Sequence, residues 1–222
     1  MIDKTLRKWL SLGFVLALQS SAVCAKAIFD KELRVTVAVH NDAEIPNSTL
    51  RGVEEEASRL FRQSGIEMKW LNCPLPADGP EDAGQCRTAE FPAHLQLRMA
   101  RHSRDLNAIT FGISYLSADG RGCYANVFYE RIEEMHKRSR VNLASLLGDV
   151  AAHEIGHLLL GTNSHAANGI MRARWESEEL ESINMGTLFF SEAESQQMRS
   201  KLANWRAKRK NDSRVAAARR GD

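Results

Sequence analysis

The sequence predicts an α+β domain in which a twisted mixed sheet packs against helices. Three observations support this fold class. Several short segments alternate between apolar and polar residues, as strands with one buried face do. A segment between the first two of them has the spacing of an amphipathic helix. Late in the chain, a long apolar run contains two histidines and a glutamate, and it predicts a helix through the middle of the domain.

The first part of the domain is predicted to alternate strands with one helix. Residues 33–39 alternate well and predict the first strand. Asn47 or Ser48 then caps an amphipathic helix, which Gly65 ends. Three further strands are expected at residues 66–71, 94–99 and 123–129.

The second part is predicted to be mainly helical. Residues 104–122 are expected to form a loop, because they are rich in glycine. The apolar run around residues 143–159 predicts the central helix. Ser191 and Glu194 form a capping box that opens a final helix through Trp205.

The first 25 residues have the features of a secretory signal. Basic residues precede an apolar stretch at 9–18, and a small-residue cleavage site ends at Ala25, with Ala27 as the alternative. The apolar stretch is too short for a comfortable transmembrane helix. Lipidation at Cys24 is a minority expectation, since the preceding residues match a lipobox poorly. A secreted or periplasmic protein without a transmembrane anchor is expected.

Charge is distributed unevenly along the chain. The formal net charge is +2, but residues 201–222 contain eight basic and two acidic residues, and residues 26–200 carry about −6. The sequence therefore predicts one domain at 26–205, expected to be monomeric, and a basic, disordered tail at 206–222. Aromatic residues are not interleaved with the basic ones, so no nucleic-acid partner is expected.

Three cysteines remain after removal of the signal. Cys73 and Cys86 flank a loop rich in Pro, Gly and Asp, which a disulfide can constrain in an oxidising compartment. Cys123 is then left as a buried apolar thiol or, less simply, as a thiol that caps a metal. Other pairings among the three remain open.

The strongest local signal is His153-Glu154-Ile155-Gly156-His157, an HExxH motif on the predicted central helix. Residues at i and i+4 share one helix face, so His153 and His157 can bind one Zn²⁺ ion. Glu154 then lies where it can take a proton from a water bound by the zinc. Buried polar residues on an apolar helix need partners, and a metal supplies one.

The residues after this motif resemble those of the metzincin zinc peptidases, whose pattern is HExxHxxGxxH followed by a methionine-containing turn. The resemblance implies a zincin-like catalytic domain over most of residues 30–205. By this resemblance the zinc ligands are His153, His157 and His165, and the general base is Glu154. Gly161 corresponds to the glycine that ends the helix, and Met171 to the methionine of the turn. The chain is also similar to secreted bacterial proteins that carry HEIGHLLLG and GIM.

The spacing departs from the metzincin pattern. This chain has HExxHxxxGxxxH, so Leu160 occupies the glycine position of the family and Asn163 that of the third histidine. Glu176 follows His157 after eighteen intervening residues, a spacing that resembles the HExxH-x18-E pattern of gluzincin aminopeptidases. The third ligand is therefore His165 or, alternatively, Glu176.

These features predict a secreted zinc endopeptidase that acts on a peptide or protein substrate. Glu154 is the expected general base, and segment 123–129 is expected to be the sheet edge that aligns the substrate. The alternative is a non-catalytic secreted domain that zinc stabilises and that binds a peptide or protein. Such a structural site needs a fourth protein ligand, for which the candidates are Cys123, His40, His94, His102 and His136.

Overall fold

A computed structural model describes residues 33–73, 83–103 and 110–218 of the chain. The signal peptide predicted at residues 1–25 lies outside the described residues. The described elements are, in chain order, β1 Leu33–His40, α1 Asn47–Gln63, β2 Ile66–Cys73, α2 Ala83–Arg87, β3 His94–Ala100, β4 Gly112–Tyr115, β5 Tyr124–Phe128, α3 Tyr129–Ser139, α4 Leu143–Leu160, α5 Ser177–Met185 and α6 Glu192–Ala218.

The five strands form one mixed sheet in the order β2-β1-β3-β5-β4. Strand β1 runs parallel to both β2 and β3, and β3 runs parallel to β5. Strand β4 is antiparallel to β5 and lies at the edge of the sheet. One face of the sheet packs on α1 and α4 through buried residues such as Val35, Val37, Leu95 and Leu97. The predicted α+β class with a mixed sheet and a central helix is confirmed.

The edge of the sheet differs from the prediction. Segment 123–129 was expected to form the exposed edge, but β5 within it is paired on both sides, with β3 and with β4. The edge strand on this side of the sheet is β4, which lies inside the region 104–122 expected to be a loop. Four residues, GISY, are too few to display a clear period-2 pattern of apolar and polar side chains.

Helix α4 is the centre of the domain. The Asn142 side chain accepts a hydrogen bond from the Ser145 amide (3.1 Å) and caps the start of the helix. Every residue from Leu146 to Leu160 is buried. The helix has the length and hydropathy of a membrane span, but most of it is enclosed by the rest of the domain, so it is a core helix.

Two further helices, α3 and α5, were not predicted. Helix α3 is highly charged and fully buries only Ile132, so its apolar stripe is narrow, with Tyr129 and Met135 partly buried on either side. Helix α5 begins with a capping box between Glu176 and Glu179. Both helices place a few apolar side chains against the core, Tyr129, Ile132 and Met135 from α3 and Leu180 and Ile183 from α5.

The predicted Cys73–Cys86 disulfide is confirmed. It joins the end of β2 to α2 and forms a small buried cluster with Ala38 of β1. Cys123 is a free, half-buried thiol. The disulfide therefore holds α2 against the sheet face opposite α1 and α4.

The C-terminal segment also differs from the prediction. Helix α6 continues to Ala218, so residues 206–218 of the expected disordered tail are helical. Arg209 donates to Glu90 (2.9 Å) and lies over the Trp205 ring, with 5.1 Å from its guanidinium carbon to the ring centroid. Alanine, lysine and arginine are strong helix formers, and this local propensity extends the helix beyond its packed part.

Helix α4 also buries a carboxylate that has no hydrogen-bond partner among the described residues. Both side-chain oxygens of Asp149 are buried and unpaired. Burial raises the pKa of Asp149 well above its ordinary value, Glu56 of α1 raises it further, and Arg59 lowers it. Arg59 is already paired with Glu56, with 2.5 Å between Nη2 and Oε1.

We expect Asp149→Asn to stabilise the protein in a pH-dependent way. Because the folded-state pKa is raised, the unfolded chain ionises first, and stability is lost as pH rises from the unfolded pKa of about 3.9 through the raised folded pKa. Asparagine keeps the shape and cannot ionise. The free energy of unfolding in urea should be higher for the variant at pH 8, by about 1 kcal/mol or more, with the gain shrinking towards pH 4.

Asp212→Asn is the matched control for this measurement, since Asp212 is exposed on α6. It should show no pH-dependent gain. A wild-type protein as stable as Asp149→Asn at pH 8 would show that Asp149 carries no destabilising charge.

Candidate metal centre

Three histidines converge beside β4. His153 and His157 lie one turn apart on α4, and His165 lies in the loop that follows the helix. One ring nitrogen from each falls within 4.8 Å of the others, and the Nε2 atoms of His153 and His157 are 3.0 Å apart. Zinc–nitrogen bonds of about 2.0–2.1 Å place tetrahedral ligand nitrogens about 3.4 Å apart. The three rings are thus spaced for one zinc ion.

The remaining ring nitrogens of the two helix histidines have main-chain partners. The Nδ1–H of His153 donates to the Ile170 carbonyl (2.7 Å), and that of His157 donates to the Thr162 carbonyl (2.8 Å). Because each neutral ring carries its proton on Nδ1, the two Nε2 atoms face each other with lone pairs only. A cation between them satisfies both, so the buried nitrogens fit a bound metal.

The histidines are neutral at neutral pH. Burial lowers the pKa of His153 to about 3 and the pKa of His157 to about 4. Burial also lowers the pKa of His165, which is the most exposed of the three. Zinc binds the neutral imidazole, so the low pKa values leave the ligands ready to bind without first losing a proton.

The loop after α4 supplies both the third histidine and the two carbonyl partners. Gly161 ends the helix in the left-handed conformation (φ 65°), at the position expected from the sequence. The loop then turns back, and the Ala166 amide donates to the Met171 carbonyl (2.9 Å). Met171 is buried with its sulfur against Gly156 of α4. Met171 therefore packs beneath the histidine-bearing helix and is not among the clustered ligands.

Glu154 points from α4 towards the edge strand. Burial raises its pKa to about 7, and a hydrogen bond from Ser114 lowers it in part. The Ser114 hydroxyl lies 2.6 Å from Glu154 Oε2. A carboxyl with a pKa near neutrality can both take up and release a proton at physiological pH.

The histidines and Glu154 line one open cavity of about 390 Å³. Phe111, Val150 and Trp175 contribute its apolar walls. The Trp175 indole N–H donates to the Ile170 carbonyl (3.3 Å), the same oxygen that accepts from His153. The cavity is large enough to admit several side chains of an extended peptide.

Glu176, the alternative third ligand, does not join the cluster. One carboxylate oxygen lies 3.3 Å from Nη2 of Arg172, and the side chain caps the start of α5. Arg172 also pairs with the buried Glu179 at 2.5 Å. His165 is therefore the third residue that the fold brings to the metal position.

The candidates for a fourth protein ligand lie elsewhere. His40 contacts Gln96, His102 contacts Glu130, and His136 contacts the Val141 carbonyl. His94 begins β3 and forms a backbone bridge with Glu90. Cys123 lines a different cavity, beside Trp205. Within residues 33–73, 83–103 and 110–218, the group of possible metal-binding side chains comprises the three histidines only.

Three site residues were missed at the level of sequence. Gly112 and Ser114 lie on β4, within a segment expected to be a loop, and Trp175 belongs to none of the motifs named above. The alternation of Gly112 and Ser114 at i and i+2 was the available signal, since it places both on one face of a strand.

No family model matches the chain, and neither does any curated protein sequence. Similar solved structures include a zinc-dependent peptidase from Methanocorpusculum labreanum (strain Z), with a TM-score of 0.48 and 17% identity, covering 73% of this chain and 99% of that one. They also include archaemetzincin from Methanopyrus kandleri, with a TM-score of 0.47 and 18% identity, covering 78% and 98%. The zinc site is assigned from the geometry of the three histidines.

We expect His165→Ala to weaken zinc binding and Glu176→Gln to leave it unchanged. Removing His165 takes away one of three converging nitrogens, so the loss should exceed the roughly 10- to 100-fold cost of losing an outer-shell partner. Competition against a chelating dye, with elemental analysis of the purified proteins, measures both affinities. Equal zinc affinity in His165→Ala, or a loss in Glu176→Gln, would reverse the assignment of the third ligand.

Proposed function

We propose that this protein is a secreted zinc-dependent endopeptidase in which Glu154 is the general base. The observation that carries the proposal is the position of Glu154, a buried carboxyl with a pKa of about 7, in the same open cavity as three convergent neutral imidazoles. A site that only held a structural metal would have no use for an ionisable carboxyl there.

His153, His157 and His165 would hold the metal. Zinc, when bound, supplies Lewis acidity, which polarises a carbonyl and lowers the pKa of a coordinated water to about 7. The ring orientations are held by the carbonyls of Ile170 and Thr162, so the chain presents its nitrogens without rearrangement.

Glu154 performs the proton transfers of the reaction. Its ionised carboxylate accepts a proton from the attacking water as the oxygen adds to the peptide carbonyl carbon. As the C–N bond breaks, Glu154 returns that proton to the leaving amine. One water is consumed, and a carboxylic acid and an amine are formed. A pKa near 7 suits a group that acts first as base and then as acid.

The substrate is proposed to be an extended peptide segment of a protein. Strand β4 pairs with β5 along one edge, and no described strand pairs with its other edge, which borders the cavity. Main-chain groups of an extended peptide can pair with such an edge, with alternate side chains entering the pockets. A peptide that lies along β4 extends past Glu154 in both directions from the scissile bond. This arrangement favours an endopeptidase.

Export is part of the proposal. The signal-like residues 1–25 lead to it, and the Cys73–Cys86 disulfide supports it because such bonds persist in oxidising compartments. The secreted or periplasmic location remains a prediction from these two features.

We expect Glu154→Gln to retain zinc and lose hydrolysis. The amide keeps the size of the side chain and cannot accept the proton, so kcat/KM should fall about 100- to 10,000-fold. Fluorescein-labelled casein and a quenched-fluorescent peptide library are suitable substrates, and zinc content should be measured in the same preparations.

Glu134→Gln, an exposed change on α3, is the matched control and should keep full activity. Full turnover by Glu154→Gln would remove Glu154 as the base. A zinc-loaded wild type that cleaves none of the peptides would instead favour the non-catalytic, zinc-stabilised binding domain.

A further inference from the structure

We propose, on the basis of the role assigned to Glu154, that Ser114 is a positioning residue that directs proton transfer to one oxygen of the Glu154 carboxylate. Strand β4 would then serve two purposes, because the same four residues border the substrate cavity and hold the general base.

The contact between the two residues is buried and specific. Ser114 is 6% exposed, and its hydroxyl lies 2.6 Å from Glu154 Oε2 and 2.7 Å from the main-chain oxygen of Glu154. In the part of the chain that the structure describes, Ser114 is the hydrogen-bond partner of this carboxylate. The orientation of the base therefore depends on one hydroxyl.

The paired distances let the hydroxyl serve both forms of Glu154. When the carboxylate is ionised, Ser114 donates its proton to Oε2. When Glu154 has accepted a proton on Oε1, the same bond to Oε2 persists, with the main-chain oxygen as the second acceptor in reach. Because Ser114 holds Oε2, proton exchange with the cavity is assigned to Oε1.

Gly112 provides the space for that oxygen. It lies two residues before Ser114 and faces the same way. A Cβ atom at Gly112 would come within 2.5 Å of both Oε1 and Cγ of Glu154, a distance that no real contact permits. Gly112 thus leaves room for Oε1 of the Glu154 carboxylate, and the Ser114 hydroxyl binds Oε2.

The sheet sets the position of both β4 residues. Gly112 is in register with Val127 of β5 and Ser114 with Ala125, and both partners are buried. The hydroxyl is consequently presented by a paired strand and not by a loose loop. Such a rigid support is what the positioning of a catalytic group requires.

The test compares Ser114→Ala with Ser114→Thr and with Ser195→Ala, all as zinc-loaded full-length domains. Ser195 is 4% exposed, and its hydroxyl lies 2.9 Å from that of Ser64, so it offers an equally buried hydroxyl pair outside the cavity lining. We expect Ser114→Ala to lower kcat about 10- to 100-fold, the equivalent of one hydrogen bond to a charged group, with KM nearly unchanged.

The comparison variants separate positioning from folding. Ser114→Thr keeps the hydroxyl and should recover most of the lost rate. Ser195→Ala should match Ser114→Ala in melting temperature and keep the wild-type kcat. A wild-type kcat in Ser114→Ala overturns the proposal, and so does a rate loss that coincides with loss of zinc.

A crystal structure of Ser114→Ala supplies a readout that does not depend on activity. We expect the Glu154 carboxylate to leave its place beside Gly112 and to occupy more than one rotamer. A single unchanged rotamer overturns the positioning role. If the wild type hydrolyses no peptide, the proposed function fails, while this structure still decides whether Ser114 orients Glu154.

Discussion

The constraint on which the structure depends is the burial of polar side chains on helix α4. His153, Glu154 and His157 lie within a helix that is enclosed over almost its whole length. A buried polar atom without a partner costs free energy, so each of these side chains must find one. The carbonyls of Ile170 and Thr162 serve the two Nδ1 atoms, Ser114 serves the carboxylate, and the Nε2 atoms are left for a metal.

The surrounding elements are arranged by this requirement. The loop after Gly161 must turn back beneath the helix to bring the Ile170 carbonyl to His153, and the same turn buries Met171 and delivers His165. On the other side, β4 approaches the helix so closely that Gly112 has no room for a side chain. The histidine cluster and the proposed base are therefore positioned together by the packing around α4.

Burial has different consequences for different ionisable groups on the same helix. It keeps His153 and His157 neutral, which suits metal ligands, and it brings the pKa of Glu154 close to 7, which suits proton transfer. It also acts on Asp149, which has no hydrogen-bond partner among the described residues and lies outside the cavity lining. The first three shifts suit the proposed hydrolysis, whereas the fourth only reduces stability.

The sequence by itself determined the central helix and the pair of histidines at i and i+4, because these follow from local periodicity and spacing. It indicated the Cys73–Cys86 disulfide, but the tertiary structure decided the pairing among the three cysteines. Only the tertiary structure decided between His165 and Glu176, since both spacings were plausible and the loop path selects one. It also decided which strand forms the edge, and so revealed Ser114. Strand pairing joins residues distant in the chain, and the sequence of a four-residue strand is too short to predict which strand it pairs with.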